Sequence, residues 1–248
     1  FEEAEQELTL TAQAETILFR TGGRSPIDDF PDIRSALKRA HAAFALSPAE
    51  LLGIARCLRI VRIARESLLQ REEEAPNLGN IAATLSTHRS VEEEIGRCIL
   101  NEDEIADGAS PALSRIRREM RRANDRVREK LNSMIRSTDH QKYLQDALVT
   151  IRNGRFVIPV RQEYRQYVPG LIHDQSGSGA TLFIEPSAIV ELGNEYKRLQ
   201  AEETEEIERI LSELTALVAP HADDLYEDLE TLGELDLIFS RAALSRSM

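Results

Sequence analysis

Along most of this chain, apolar residues recur at the three- and four-residue spacing of helices packed on one face. In DIRSALKRA, Ile33, Leu37 and Ala40 share a face shortly after Pro31. Ser47 as N-cap, Pro48 at the first helical position and Glu50 at the third form a capping box that predicts a helix start. Leu51, Ile54, Ala55, Leu58, Val61, Ile63 and Leu68 then broadly keep helical spacing. Pro76–Asn77 and Gly79–Asn80 predict the end of that element, with shorter helices around Ile81–Leu85 and Val91–Leu100. Residues 1–109 therefore read as a helical core domain.

The pattern lengthens after Ser110–Pro111. Leu113, Ile116, Met120, Ala123, Val127, Leu131 and Met134 follow the seam of a coiled coil or a long exposed helix. About 26 residues at ~1.5 Å each make an arm of roughly 39 Å, and 110–142 is the expected outgoing lever. Over 187–219, Leu192, Tyr196, Leu199, Ile207, Ile210, Leu214 and Leu217 form a matching stripe, interrupted by Glu202, Glu203, Glu205 and Glu206. Helix resumes over 220–248 with Leu225, Leu229, Leu232, Leu235 and Ile238, so 187–248 reads as a returning lever and a return to the core.

Between the arms the period switches to two. In ALVTIRNGRFVIPVR, Asn153–Gly154 is a strong hairpin signal, because a type I′ turn needs positive φ at both central residues. The turn predicts Arg152 opposite Arg155, Thr150 opposite Val157, Leu148 opposite Pro159 and Asp146 opposite Arg161. One face then carries Ala147, Val149, Ile151, Phe156, Ile158 and Val160, and the other Arg152, Arg155 and Arg161. Pro159 predicts an edge strand, since it has no N–H to donate. GLIHDQ and ATLFIE form a second pair around SGSG, and Tyr143, Phe156, Tyr164, Tyr167 and Phe183 fall in this segment. A small β clamp over 143–186 completes the expected fold class: mainly α, a helical bundle plus long antiparallel lever helices carrying a small antiparallel β clamp.

Composition supports this. With 5% aromatic residues, no Trp and 30% charged residues, the core must be aliphatic, and an all-β sandwich is disfavoured. No uncharged run reaches 18 residues, which argues against a membrane span, and no signal-like segment follows Phe1. Cys57 and Cys98 lack CxxC spacing and are expected to be buried free thiols of a reducing cytosol, hence a cytoplasmic protein.

Charge is unevenly spread. The chain carries a net −12, yet 111–165 holds 14 basic against 6 acidic residues, and 186–248 holds 5 against 15. Two explanations stand: the basic helix pairs with the acidic one, or an acidic body carries an anion-binding tip. Facing arginines across the turn repel unless an anion lies between them, which favours gripping a phosphate backbone. Exposed charge that protects an edge strand is the competing reading.

No enzyme site is evident. SGSG lacks the Lys of a phosphate-binding loop, and no histidine pair has metal-ligand spacing. His173–Asp174 near Ser176 and Ser178 is poorly placed for a relay, because neighbouring strand residues point to opposite faces. The 202–208 carboxylates read as a solvated helix face.

The whole chain resembles the core, lever and clamp region of the MutS family, in its second bacterial branch. DIRSALKRA and LSPAELL, the lever DGASPALSRIRREMRRANDRVREKL, and above all RNGRFVIPVRQEYR and GLIHDQSGSGATLFIEPSAIVELGNEYKRLQAEE carry the resemblance. It implies a parent that lacks mismatch-recognition and connector domains and continues into a dimerising ATPase, usually followed by a Smr-type nuclease. ATP and Mg would belong to that ATPase, so no cofactor is expected here. It further implies a homodimer embracing nucleic acid, either branched DNA, with suppression of recombination, or the ribosomal RNA of collided ribosomes, with ribosome splitting and quality control. Arg152, Asn153, Gly154, Arg155, Arg161 and Arg165 match the family's hairpin segment; with Lys142 they are the candidate nucleic-acid contacts, while HDQSGSGATLFIEP reads as structural. The rival expectation is a purely mechanical coiled-coil lever or dimerisation element, with binding supplied by other domains.

Overall fold

The computed structural model describes residues 2–245, with side chains from residue 4. Residue 1 and residues 246–248, the outer ends of the expected first and last segments, lie outside them. The chain divides into two compact units, Phe1–Ala109 with Glu208–Met248, and Ser110–Ile207. The fold is mainly α with small antiparallel sheets.

The first unit is a helical bundle. Its elements are α1 (Glu2–Arg20), α2 (Arg34–His41), α3 (Pro48–Leu69), α4 (Pro76–Thr84) and α5 (Arg89–Cys98), then a hairpin of β1 (Ile99–Asn101) and β2 (Glu104–Ile105). Ser47 and Glu50 cap α3 reciprocally, each side chain bonded to the other's backbone N–H. Ile17, Leu68, Leu78, Leu232, Leu235 and Phe239 are among the side chains filling one fully buried core. Burying each such side chain contributes about 1.5–3 kcal/mol. Cys57 and Cys98 are buried and free, and burial pushes the Cys57 thiol up to about 12, so it is held as an inert thiol.

Two local expectations are corrected here. Pro76 opens α4 at its first position rather than breaking a helix, and Gly79 and Asn80 lie inside α4. Gly79 serves close approach, because a Cβ there would come within 2.9 Å of the Glu72 side chain. The helix expected to reach Leu100 stops at Cys98, and Ile99 pairs with Ile105 instead.

The second unit holds α6 (Pro111–Arg136), α7 (Thr138–Gln141), a four-stranded sheet and the first part of α8 (Val190–Val218). After α8, α9 (Ala222–Ser245) belongs to the bundle unit. Ser110 caps α6 by accepting the Leu113 N–H at 3.0 Å. Leu113, Ile116, Ala123, Val127 and Leu131 are buried as the heptad spacing requires, and at the far end Ile135 is buried where Met134 is only half-buried. Arg117 meets Glu203 and Arg126 meets Glu195, so numbers fall on α8 as they rise on α6: the arms are antiparallel.

The sheet contains β3 (Thr150–Arg152), β4 (Arg155–Arg161), β5 (Gly170–Gln175) and β6 (Thr181–Pro186), in the order β3-β4-β6-β5. Thr150 pairs with Val157 and Arg152 with Arg155, as the turn requires. Beyond Thr150 the expected register fails. Continuing it would need Pro159 to donate an N–H to Leu148, which it lacks. Residues 146–149 leave the ladder instead, and pairing resumes with Leu144 opposite Val160. Nor is β4 an edge strand: it lies between β3 and β6 and is buried on both faces from Phe156 to Val160. Pro159 is tolerated because its nitrogen points to the side where β3 has ended, the side on which its carbonyl accepts from Gln145 at 2.9 Å. The continuous apolar face is broken as well, since Ile151 is 52% exposed and Ala147 is exposed.

Candidate nucleic-acid interface

The 153–154 turn forms because both central residues take positive φ, +50° at Asn153 and +69° at Gly154. The Lys197 ammonium from α8 fills the space that a Cβ on Gly154 would take. Asn153 donates its amide to the His173 carbonyl at 2.8 Å and so ties the turn to β5. The turn therefore folds back beside the α8 arm rather than projecting from the arm's end.

Two carboxylates relieve the repulsion between Arg152 and Arg155. Arg152 lies 3.3 Å from Asp174 with its guanidinium 4.5 Å over the Phe183 ring, and it is half-exposed. Arg155 turns inward, donating to Asn194 Oδ1 at 2.7 Å and lying 3.4 Å from Glu185 Oε1. Glu185 is fully buried, and its other oxygen meets His173 Nε2 at 2.6 Å. Gly193 permits this, since a Cβ there would sit 2.5 Å from Glu185 Oε1. A fully buried carboxylate persists only when it is paired and hydrogen-bonded, as here. His173 and Asp174 thus serve different partners across a bulge in β5 and form no relay.

At the opposite end of β4, about 20 Å away at ~3.3 Å per residue, a different set collects. Tyr143 stacks on Tyr167 with ring centroids 5.0 Å apart, and Tyr164 tilts against both. Lys142 lies 5.0 Å over the Tyr143 ring, and exposed Arg161 donates its backbone N–H to the Tyr143 carbonyl. Arg165 is occupied internally, donating to the carbonyls of Val168 and Gly170. The sequence-derived set therefore divides. Lys142, Arg152 and Arg161 offer charge to solvent with Asn153–Gly154 between strands, whereas Arg155 and Arg165 are spent on holding the clamp together.

The arms answer the charge question in both directions. Arg117 and Arg126 are paired across to α8, and Ser110 donates to Glu206. Arg118, Arg122, Lys130 and Arg136 are exposed and have no carboxylate partner among the described residues. Arg117, Arg121 and Arg128 line an open groove of about 390 Å³ with Ile151, Phe156 and Tyr196. These lever cations lie outside the candidate set that the sequence suggests, Lys142, Arg152, Asn153, Gly154, Arg155, Arg161 and Arg165. Their signal was present as the cations that fall off the apolar seam, Arg118, Arg122 and Arg136 lying about opposite it on a 100° per residue wheel.

A small antiparallel sheet carried between two antiparallel helical arms, with a helical bundle on both sides in sequence, is the arrangement that the resemblance to the MutS core, lever and clamp region implies. No protein-family model matches the chain. Known relatives do: it is 44% identical to "Endonuclease MutS2" of Clostridioides difficile (strain 630) across the whole of this chain and 32% of that relative. It is 48% identical to the protein of the same name from Pelotomaculum thermopropionicum over 88% of this chain, and 47% identical to that of Geobacillus sp. (strain WCH70) over 92%. Over its length the chain matches a segment of MutS2 proteins and spans about a third of the length of the curated relatives it matches.

Proposed function

We propose that this chain is the nucleic-acid-embracing core, lever and clamp of a MutS2-type protein, working within a homodimer whose ATPase lies outside these residues. The observation that carries the reading is the unpaired cation set of the lever-clamp unit: Arg118, Arg122, Lys130, Arg136 and Arg161 reach solvent with no carboxylate partner among the described residues. Charge of this kind on a net −12 chain favours contact with a phosphate backbone, which supplies affinity without reading sequence. Arg152 makes the clamp contact beside Asn153–Gly154, Lys142 and Arg161 make contacts at the opposite end of β4, and Arg155 and Arg165 shape the surface that presents them. ATP, Mg and the strand cleavage implied by the relatives' name belong to other parts of the parent protein. The substrate is structured nucleic acid, a branched DNA or the ribosomal RNA of a collided ribosome, because a clamp reads shape.

The test is fluorescence anisotropy of the chain with a four-way junction, a linear duplex and a ribosomal RNA stem at low salt. Tighter binding of the junction or the stem than of the duplex is expected, and their order assigns the substrate. Equal binding to all three refutes shape recognition. A second reading, a purely mechanical lever, draws on the Arg117–Glu203 and Arg126–Glu195 pairs that tie the arms. No binding to any of the three ligands would establish it.

A further inference from the structure

Where the loop before α5 meets the start of α9, two imidazoles and a carboxylate converge that nothing in the nucleic-acid reading uses. His88 immediately precedes α5, His221 ends the short turn Ala219–His221, and Asp224 stands in the first turn of α9. All three belong to the bundle unit. The imidazole rings lie with centroids 4.0 Å apart. His88 Nε2 is 3.3 Å from Asp224 Oδ2, and His221 Nδ1 is 4.0 Å from the same oxygen. One ligand atom from each residue falls within 4.8 Å of the others. We propose that His88, His221 and Asp224 form a binding site for a divalent transition-metal ion of the zinc class.

The geometry is close to what such an ion needs. Zinc binds imidazole nitrogen and carboxylate oxygen at about 2.0–2.2 Å, so two ligand atoms of a tetrahedral site stand roughly 3.3–3.5 Å apart. The His88–Asp224 separation is already that of one tetrahedral edge. Yet it is not a hydrogen bond: His88 Nε2 is sealed from water and has no hydrogen-bond partner. Buried polar nitrogens are nearly always satisfied, and a metal ion satisfies this one through its lone pair. His221 stands 4.0 Å from Asp224 Oδ2 within a set that spans up to 4.8 Å, so closing it onto the same point requires a side-chain shift of up to roughly 1.5 Å to reach the tetrahedral edge.

The chemistry of the set selects the metal class. Two imidazoles and one carboxylate suit zinc, cobalt, nickel or copper and are a poor match for the all-oxygen shells of calcium and magnesium. Asp224 is half-exposed, so the fourth position opens to water, the arrangement of three protein ligands plus solvent. An outer contact fixes the approach of the two segments. The Ser86 N–H donates to Asp228 Oδ1 at 2.9 Å, and Asp228 lies one turn beyond Asp224, so the loop that presents His88 is fastened to the helix that presents the carboxylate. Binding would cross-link segments 133 residues apart in sequence, from His88 to His221.

The experiment is a titration of the chelator-stripped chain with Zn²⁺ at pH 7.5, read by competition with a chromophoric chelator, with the melting temperature measured beside it. One equivalent should bind and raise the melting temperature. Affinity should fall at least about tenfold in each of His88→Gln, His221→Gln and Asp224→Asn, with circular dichroism unchanged. Cys57→Ser/Cys98→Ser should bind as the wild type does. The proposal is overturned by no saturable binding, by binding that survives all three substitutions, or by binding that disappears with the cysteines. Should His88→Gln fail to fold, His221→Gln decides the matter, because His221 is more exposed and lies in a short turn.

Discussion

The assignment of Arg155 to the clamp interior makes a quantitative prediction. Replacing it by Met keeps the stem and deletes the guanidinium, leaving Glu185 fully buried with His173 as its remaining partner. Breaking a buried ion pair from one side costs about 3–5 kcal/mol, because an uncompensated charge stays in the interior. Arg155 is itself 25% exposed and its contact with Glu185 is a long 3.4 Å, which places the expected loss near the lower figure, about 3 kcal/mol. Arg152 pairs with Asp174 at the surface, both about 45% exposed, so Arg152→Met should cost only about 0.2–1 kcal/mol. Urea unfolding followed by near-ultraviolet circular dichroism reads this directly: the chain has no Trp, and four of its five tyrosines, Tyr143, Tyr164, Tyr167 and Tyr196, lie in the lever-clamp unit. Adding Glu185→Gln to Arg155→Met removes the stranded charge and should recover part of the loss. An Arg155→Met cost within 0.5 kcal/mol of that of Arg152→Met, or no recovery in the double variant, would refute the buried-pair reasoning.

Three further outcomes follow from the packing. Burial pushes the Asp228 carboxyl up to about 6; the Ser86 N–H opposes the shift, while Asp224 and Glu227 add to it. The folded chain therefore holds this proton more tightly than the unfolded chain, and stability falls as pH rises from about 4 to 6 and stays reduced above. Asp228→Asn should be more stable than wild type at pH 8, by up to about 3 kcal/mol for a shift of about two units, and nearly equal at pH 4; paired urea curves check the sign. Ser110→Ala removes the α6 N-cap and the bond to Glu206, with an expected loss of about 1–2 kcal/mol in the same assay. Gly154→Ala forces a side chain onto a φ of +69°, and about 1–2 kcal/mol of clamp stability should disappear.

Local rules carried much of the fold. The Ser47–Glu50 box, the α6 seam and the Asn153–Gly154 turn are each set by residues a few positions apart, and each stands in the structure as its spacing required, except that Ile135 takes the buried place expected of Met134 at the end of the seam. The errors came where one local rule met tertiary context. Proline does keep β4 from pairing at Pro159, but on one side only, so the strand is central and β3 is the shorter for it. The candidate site was legible as a concentration of charge, and its division was not. Which arginine is stranded and which is satisfied depends on Asp174, Glu185 and Asn194, which lie 22 to 39 residues away. His88, His221 and Asp224 have no common spacing to find; only the fold brings them together.

The proposal that exposed clamp cations hold a phosphate backbone is tested most directly by the salt dependence of junction binding. Each neutralised phosphate contributes about 0.9 to the slope of log affinity against log salt on duplex DNA. Between 50 and 200 mM salt, the Lys142→Ala/Arg152→Ala/Arg161→Ala variant should bind a labelled four-way junction more weakly than wild type, with a slope shallower by about 2–3. Its unfolding curve should stay within about 1 kcal/mol of wild type, since none of the three is buried. A slope equal to that of the wild type, with the variant folded, would contradict the assignment of nucleic-acid contact to the clamp.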